Sequence, residues 1–120
     1  MGSCRVLVVE DEWLIAQDYR LLLTRAGHIV IGPVATSASA IALLDNEVVD
    51  LGLLDFQLRE ETSAAVAERL TQAKIPFIVV TGHTEVDLPE QFSSGLVAAK
   101  PIDPEALIGF VDQLTGRSGT

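Results

Sequence analysis

Five short apolar runs punctuate the chain: Arg5 to Val9, His28 to Val34, Leu51 to Leu54, Phe77 to Val80 and Leu96 to Ala99. All but the second end abruptly in polar residues. Runs this short, rich in valine, leucine and isoleucine, suit strands buried on both faces of a parallel sheet. Between them the apolar period changes to that of a helix. Ile15, Tyr19, Leu22, Leu23 and Ala26 fall on one helical stripe, with Asp11 or Glu12 as the cap and Gly27 as the closing glycine. Trp13 and Tyr19 read as packing residues of this helix. Thr36 or Ser37 caps a second helix, Ala38 to Glu47. Glu60 to Ala73 forms a third, buried along Val66, Leu70 and Ala73. Asp103 followed by Pro104 opens a last helix with Leu107, Val111 and Leu114 on its inner stripe.

Two segments break the rhythm. Gly32-Pro33 inside the second run marks an edge strand, because proline cannot donate to a ladder. From Thr84 to Gly95 the pattern is poor, and Pro89 and Gly95 leave room for a turn or two of helix. With little apolar surface to bury, this stretch is expected to order or disorder at small cost and to carry a conformational switch. The fourth helix is therefore expected to be short or irregular. Strand and helix alternate five times, which predicts an α/β fold. Its core is a doubly wound, five-stranded parallel sheet with helices on both faces.

Composition narrows the class further. The 120 residues, 48% hydrophobic and 21% charged, fit one globular domain over 1–120, with a core of about 4–115 and a tail from Gly116 to Thr120. No apolar stretch reaches the length of a membrane span, and no signal peptide is visible, so no membrane partner is expected. A single cysteine, Cys4, leaves no disulfide framework, and cytoplasm is the simplest compartment. A net charge of −9 disfavours nucleic-acid backbones. It suits a protein partner, or carboxylates gathered around a cation.

The chemistry sits at the strand ends. Glu10-Asp11, Asp55, Thr81-Gly82 and Lys100-Pro101 each follow an apolar run. In a doubly wound sheet these ends share one edge, where such folds place their ligands. Taken singly, Asp55 reads as a solvated turn aspartate, Thr81 as a strand residue and Lys100 as a surface lysine. Taken together they describe converging carboxylates that repel one another unless a cation bridges them. Hard oxygen ligands suit Mg²⁺. Carboxylates with Mg²⁺, an ammonium and a hydroxyl form a site for phosphoryl transfer, with one carboxylate as the nucleophile.

Val8 to Glu12 (Val-Val-Glu-Asp-Glu), Leu53 to Asp55 (Leu-Leu-Asp), Val80 to Gly82 (Val-Thr-Gly) and Lys100-Pro101 resemble the motifs of two-component response regulator receiver domains. The resemblance runs from Val6 to about Leu114 and implies a flavodoxin-like fold. It further implies that Asp55 accepts a phosphoryl group from a histidine kinase or phosphotransfer protein. Asp11, Asp55 and the main-chain carbonyl of Gln57 would ligate Mg²⁺, with Glu10 acting through a metal-bound water. Thr81 and Lys100 would contact phosphoryl oxygens, and Gly82 would leave room for the incoming group. Such a domain catalyses only its own phosphorylation and dephosphorylation, and regulates a downstream protein partner.

Gln57 and His83 stand where the family tunes hydrolysis. Pro76-Phe77 followed by Thr81-Gly82 is similar to the subgroup nicknamed for its Phe-Ala-Thr-Gly signature, although Val79-Val80 replace Phe-Ala and His83 stands where glycine or tyrosine is usual. Arg59 occupies a position often held by proline, and Val97 one usually held by an aromatic ring, so a rotating ring cannot be the switch. With no effector domain before residue 120 ends the chain, it reads as a single-domain regulator or an excised receiver. Two other classes compete. An aspartyl-phosphate hydrolase wants an acid two residues after the nucleophile, where this chain has Gln57. A degenerate receiver would serve only as a docking module. A nucleotide-binding reading lacks its glycine-rich phosphate loop.

Overall fold

The apolar runs become five parallel strands: β1 (Arg5–Val9), β2 (Ile29–Val34), β3 (Leu51–Asp55), β4 (Phe77–Thr81) and β5 (Leu96–Ala99). The computed structural model describes residues 3–82 and 87–116. Helices α1 (Trp13–Arg25), α2 (Ser37–Asn46), α3 (Ala64–Gln72) and α4 (Pro104–Thr115) connect or follow the strands. The sheet order is β2-β1-β3-β4-β5. This order reverses direction between β1 and β3, and there the crevice of an open α/β sheet lies.

Strand alternation builds two cores. Leu7, Val9, Leu54, Phe77 and Val79 face α2 and α3. Val6, Val8, Leu53, Ile78 and Val80 face α1 and α4. All residues of β3 and β4 are buried, as expected of central strands in a sheet covered on both sides. β2 is an edge strand as its Gly-Pro pair requires, and its register with β1 slips between Leu7 and Val9. Gly32 sits there at φ +97°, with its Cβ position only 2.9 Å from the Val34 nitrogen, so only glycine fits without strain.

Helix starts follow the sequence where a side chain caps them. Thr36 accepts from the Ser39 amide and Asp103 from the Ala106 amide, with Pro104 at the first position of α4. Glu12 holds the cap position of α1, but no side-chain cap bond forms there. Gly27, at φ +94°, closes α1 in the left-handed conformation.

Four expectations need correction. The third helix begins at Ala64 instead of Glu60, because residues 56–63 fold into a hydrogen-bonded loop. Ala73 and Ala26 are exposed, since each stands at the cap beyond its helix, where the apolar stripe has turned away from the sheet. Trp13 is 70% exposed and belongs to neither core; it is the first residue of α1, ahead of the buried positions Ala16, Tyr19 and Leu23. The β4–β5 connection holds only a 3₁₀ turn, Glu90–Phe92, among its described residues, as its poor pattern implied. Yet it is better anchored than its polarity suggested: Phe92 is fully buried and Leu88 packs against the same core. His83 and Thr84 lie outside the described residues. No described helix is long and apolar enough to cross a membrane.

Candidate functional site

β1, β3, β4 and β5 all run the same way, so their carboxyl ends deliver Glu10-Asp11, Asp55, Thr81 and Lys100 to one edge. Because β1 and β3 are neighbours, with Val9 paired to Leu54, the acids that follow them meet directly. Ligand oxygens of Glu10, Asp11 and Asp55 lie within 4.8 Å of one another. Lys100 reaches in from the far strand: its Nζ is 3.1 Å from Asp55 Oδ1 and 3.7 Å from Glu10 Oε1. The Lys100 amide donates to the Thr81 carbonyl at 2.9 Å, which ties the lysine to the end of β4. Thr81 itself is buried. Beside it, a Cβ built on Gly82 would meet no described atom within 4 Å.

The site is dry for its charge. Glu10 is 2% exposed and Asp55 5%. Burial drives the Glu10 carboxyl up to about 7, aided by the charges of Asp55 and Asp11 and opposed by the Glu12 amide and Lys100. The amide contact is direct: Glu12 N donates to Glu10 Oε2 at 3.0 Å. Burial also raises Asp55, against the hydrogen bond and charge of Lys100. For Lys100, burial alone would lower the ammonium, but its bond to Asp55 and the charges of Asp55 and Glu10 outweigh this and hold it above its ordinary value. On α1, Tyr19 is shifted upward by burial and then by the charges of Glu10 and Asp55, so it stays a neutral phenol beside the acids.

Three carboxylates against one ammonium leave an excess of negative charge in a poorly solvated place. Glu10 Oε1 is a buried acceptor that finds no hydrogen bond among the described residues. Both facts fit a small hard cation held by carboxylate oxygens. The residues present suit Mg²⁺.

Gln57 is exposed, and its side chain turns into its own loop, donating to the carbonyls of Leu58 at 2.9 Å and Glu61 at 3.1 Å. Its backbone forms an antiparallel bridge with Thr62. In this arrangement the amide braces the loop and does not reach over Asp55. Its expected partner His83 lies outside the described residues.

A profile of the response regulator receiver domain matches residues 6–112. The chain belongs to this family. Its receiver is similar to PhyR, the phyllosphere-induced regulator of Methylorubrum extorquens, at 32% identity over 92% of this chain and 43% of that protein. It also resembles AlgB, an alginate biosynthesis transcriptional regulatory protein of Pseudomonas aeruginosa, at 33% identity over 86% of this chain and 24% of that protein. The receiver thus spans less than half the length of these relatives. Among solved structures, SdrG from Sphingomonas melonis Fr1 superposes with a TM-score of 0.80 at 32% identity, covering 95% of this chain and 98% of that one. A CheY-like receiver from Methanospirillum hungatei matches in fold, with a TM-score of 0.82, 23% identity, and coverage of 96% and 95%. The flavodoxin-like architecture expected from the sequence is that of these neighbours.

Sequence reasoning passed over three contributors to the receiver's site. Ser63, eight residues after Asp55, donates its hydroxyl to the Asp55 carbonyl at 2.7 Å. Glu61 accepts the Ser37 amide at 3.0 Å, fastening the loop after β3 to the start of α2. Phe56 meets the buried Phe92 edge-on, with ring centroids 5.3 Å apart. A serine or acid in a polar loop carries no periodic signal, so only the folded loop reveals these roles.

Proposed function

We propose that the chain is a phosphoacceptor switch in which Asp55 takes a phosphoryl group from the phosphohistidine of a kinase or phosphotransfer protein. An Asp55 oxygen attacks phosphorus, the bond from phosphorus to the donor nitrogen breaks, and its electron pair returns to the imidazole. The observation that carries this reading is the Lys100 ammonium 3.1 Å from a buried Asp55 carboxylate, beside two further acids. Lys100 and Thr81, which lie at neighbouring strand ends, would contact the phosphoryl oxygens. Glu10, Asp11, Asp55 and the Gln57 carbonyl would hold Mg²⁺, which supplies charge neutralisation at the transferring group. The domain then catalyses only its own phosphorylation and dephosphorylation, and signals to a protein partner through its changed conformation. The relatives PhyR and AlgB are both named as regulators, which supports such an output.

A protein donor is supported by the surface next to the acids. Trp13 and Leu14 are 70% and 71% exposed, and Leu21 is exposed further along α1. A largely apolar groove of about 650 Å³ runs between α1 and the β5–α4 loop, from Leu21 to Lys100 and Pro101. We assign the domain to the cytoplasm, the simplest compartment for a chain whose sequence carries one cysteine and so no internal disulfide framework. Pro76-Phe77 and Thr81-Gly82 support placing it in the Phe-Ala-Thr-Gly subgroup.

Intact-protein mass spectrometry after incubation with acetyl phosphate and Mg²⁺ tests the proposal. One phosphoryl group should add to the wild type and none to Asp55→Asn. Labelling of the mutant to the same extent would remove Asp55 as the acceptor, and steady release of phosphate from a phosphomonoester would favour a hydrolase.

A further inference from the structure

We propose that Ser63 is a positioning residue for the phosphoacceptor, holding the Asp55–Phe56 peptide so that the carboxylate is fixed for attack. The inference rests on the proposed function of Asp55. Asp55 stands one residue past the last pairing of β3 with β1, Val9 with Leu54, so the ladder no longer holds its carbonyl on that side. The peptide unit that follows is gripped at both ends instead. Its N–H, from Phe56, donates to the Val80 carbonyl at 2.9 Å. Its carbonyl, from Asp55, accepts the Ser63 hydroxyl at 2.7 Å. The next carbonyl, of Phe56, accepts the Ser63 amide at 3.0 Å. One residue therefore clamps two consecutive carbonyls at the root of the nucleophile.

The hydroxyl is diverted to this task. Ser63 occupies the cap position of α3, where a serine ordinarily accepts from an amide of the first turn, yet it makes no such bond. The helix start is served by the Ser63 carbonyl, which accepts the amides of Val66 and Ala67. At 0% exposure no water can replace the hydroxyl. Freed of this bond, the 55–56 peptide could rotate about Asp55, and the carboxylate would swing away from Lys100. Small misplacements of a reacting group cost rate steeply.

The test compares Ser63→Ala, Ser63→Thr and Val111→Ala, the last a destabilising change in the α4 core away from the loop. Each is assayed at a temperature where circular dichroism shows it folded. The rate of Asp55 labelling is measured by mass spectrometry over a range of acetyl phosphate at saturating Mg²⁺. Ser63→Ala should lower the maximal rate about tenfold with little change in the half-saturating donor concentration, since the donor's own contacts remain. Val111→Ala should label at the wild-type rate, and Ser63→Thr, which keeps the hydroxyl, should recover most of the loss. Equal maximal rates for Ser63→Ala and wild type, or equal losses in Ser63→Ala and Val111→Ala, would overturn the inference while leaving the function of Asp55 intact. A wild type that takes no label would overturn both. If Ser63→Thr does not fold, the comparison of the two alanine variants decides.

Discussion

Replacing Glu10 by glutamine should stabilise the metal-free protein at neutral pH, even though it alters a buried residue of the site. Glu10 is raised from 4.5 to about 7 in the folded state, so ionising it costs folding free energy. The corresponding penalty is on the order of 3 kcal/mol when the carboxyl is fully ionised. The sign follows from the raised value. Stability from this group is fully present below its unfolded value of 4.5 and is lost as pH rises through about 7. Asp55 is also raised and acts in the same direction. Glutamine carries no charge, its oxygen can still accept the Glu12 amide, and its amide nitrogen can donate to Asp55 as a protonated carboxyl would. Urea unfolding followed by circular dichroism, with chelator present, measures the difference at several values between about pH 5 and pH 8. Wild type and Glu10→Gln should be nearly equal in stability at the acid end. At the alkaline end the mutant should lead by about 1–3 kcal/mol, the lower figure applying if solvent or Lys100 relaxes around the carboxylate. A difference that stays constant with pH, or a mutant less stable than wild type at the alkaline end, would refute the reasoning.

Further outcomes follow from the same geometry. Asp11→Asn should raise the melting temperature of the metal-free protein and shrink the rise caused by millimolar Mg²⁺; an undiminished Mg²⁺ effect removes Asp11 from the cation site. Gly95→Ala should destabilise by about 1–3 kcal/mol in chemical unfolding, because its Cβ would lie 2.3 Å from the Phe77 ring. Beryllofluoride with Mg²⁺ should change amide exchange most in residues 87–95, and Phe56→Ala should weaken that response by breaking the contact with Phe92; protection unaffected by the mimic would exclude this segment as the switch. Leu21→Asp should slow phosphorylation by a protein donor but not by acetyl phosphate, and equal slowing of both would remove the α1 groove as the donor's contact.

Much of this receiver is legible from local pattern. Buried strands announce themselves as short apolar runs because both of their faces meet helices, and helices announce themselves by their stripe. The order of strand ends bearing Glu10-Asp11, Asp55, Thr81 and Lys100 is a property of the chain itself, and parallel strands must bring such ends to one edge. Caps at Thr36 and Asp103 are legible for the same reason, since cap and amide lie three residues apart.

Tertiary structure decided what depends on residues distant in sequence. The start of α3 moved to Ala64 because Phe56, Glu61 and Ser63 found partners in Val80, Ser37 and Asp55, and no periodicity records such bonds. Trp13 looked like packing but meets solvent, because burial depends on what lies across the helix. Phe92, in a segment that reads as polar, is buried because Phe56 and the α3 face of the core lie opposite it. The poise of Glu10 near neutrality belongs to the fold as well: a glutamate's ordinary acidity is local, but desolvation by β1's neighbours and repulsion from Asp55 arise only when β1 and β3 lie side by side.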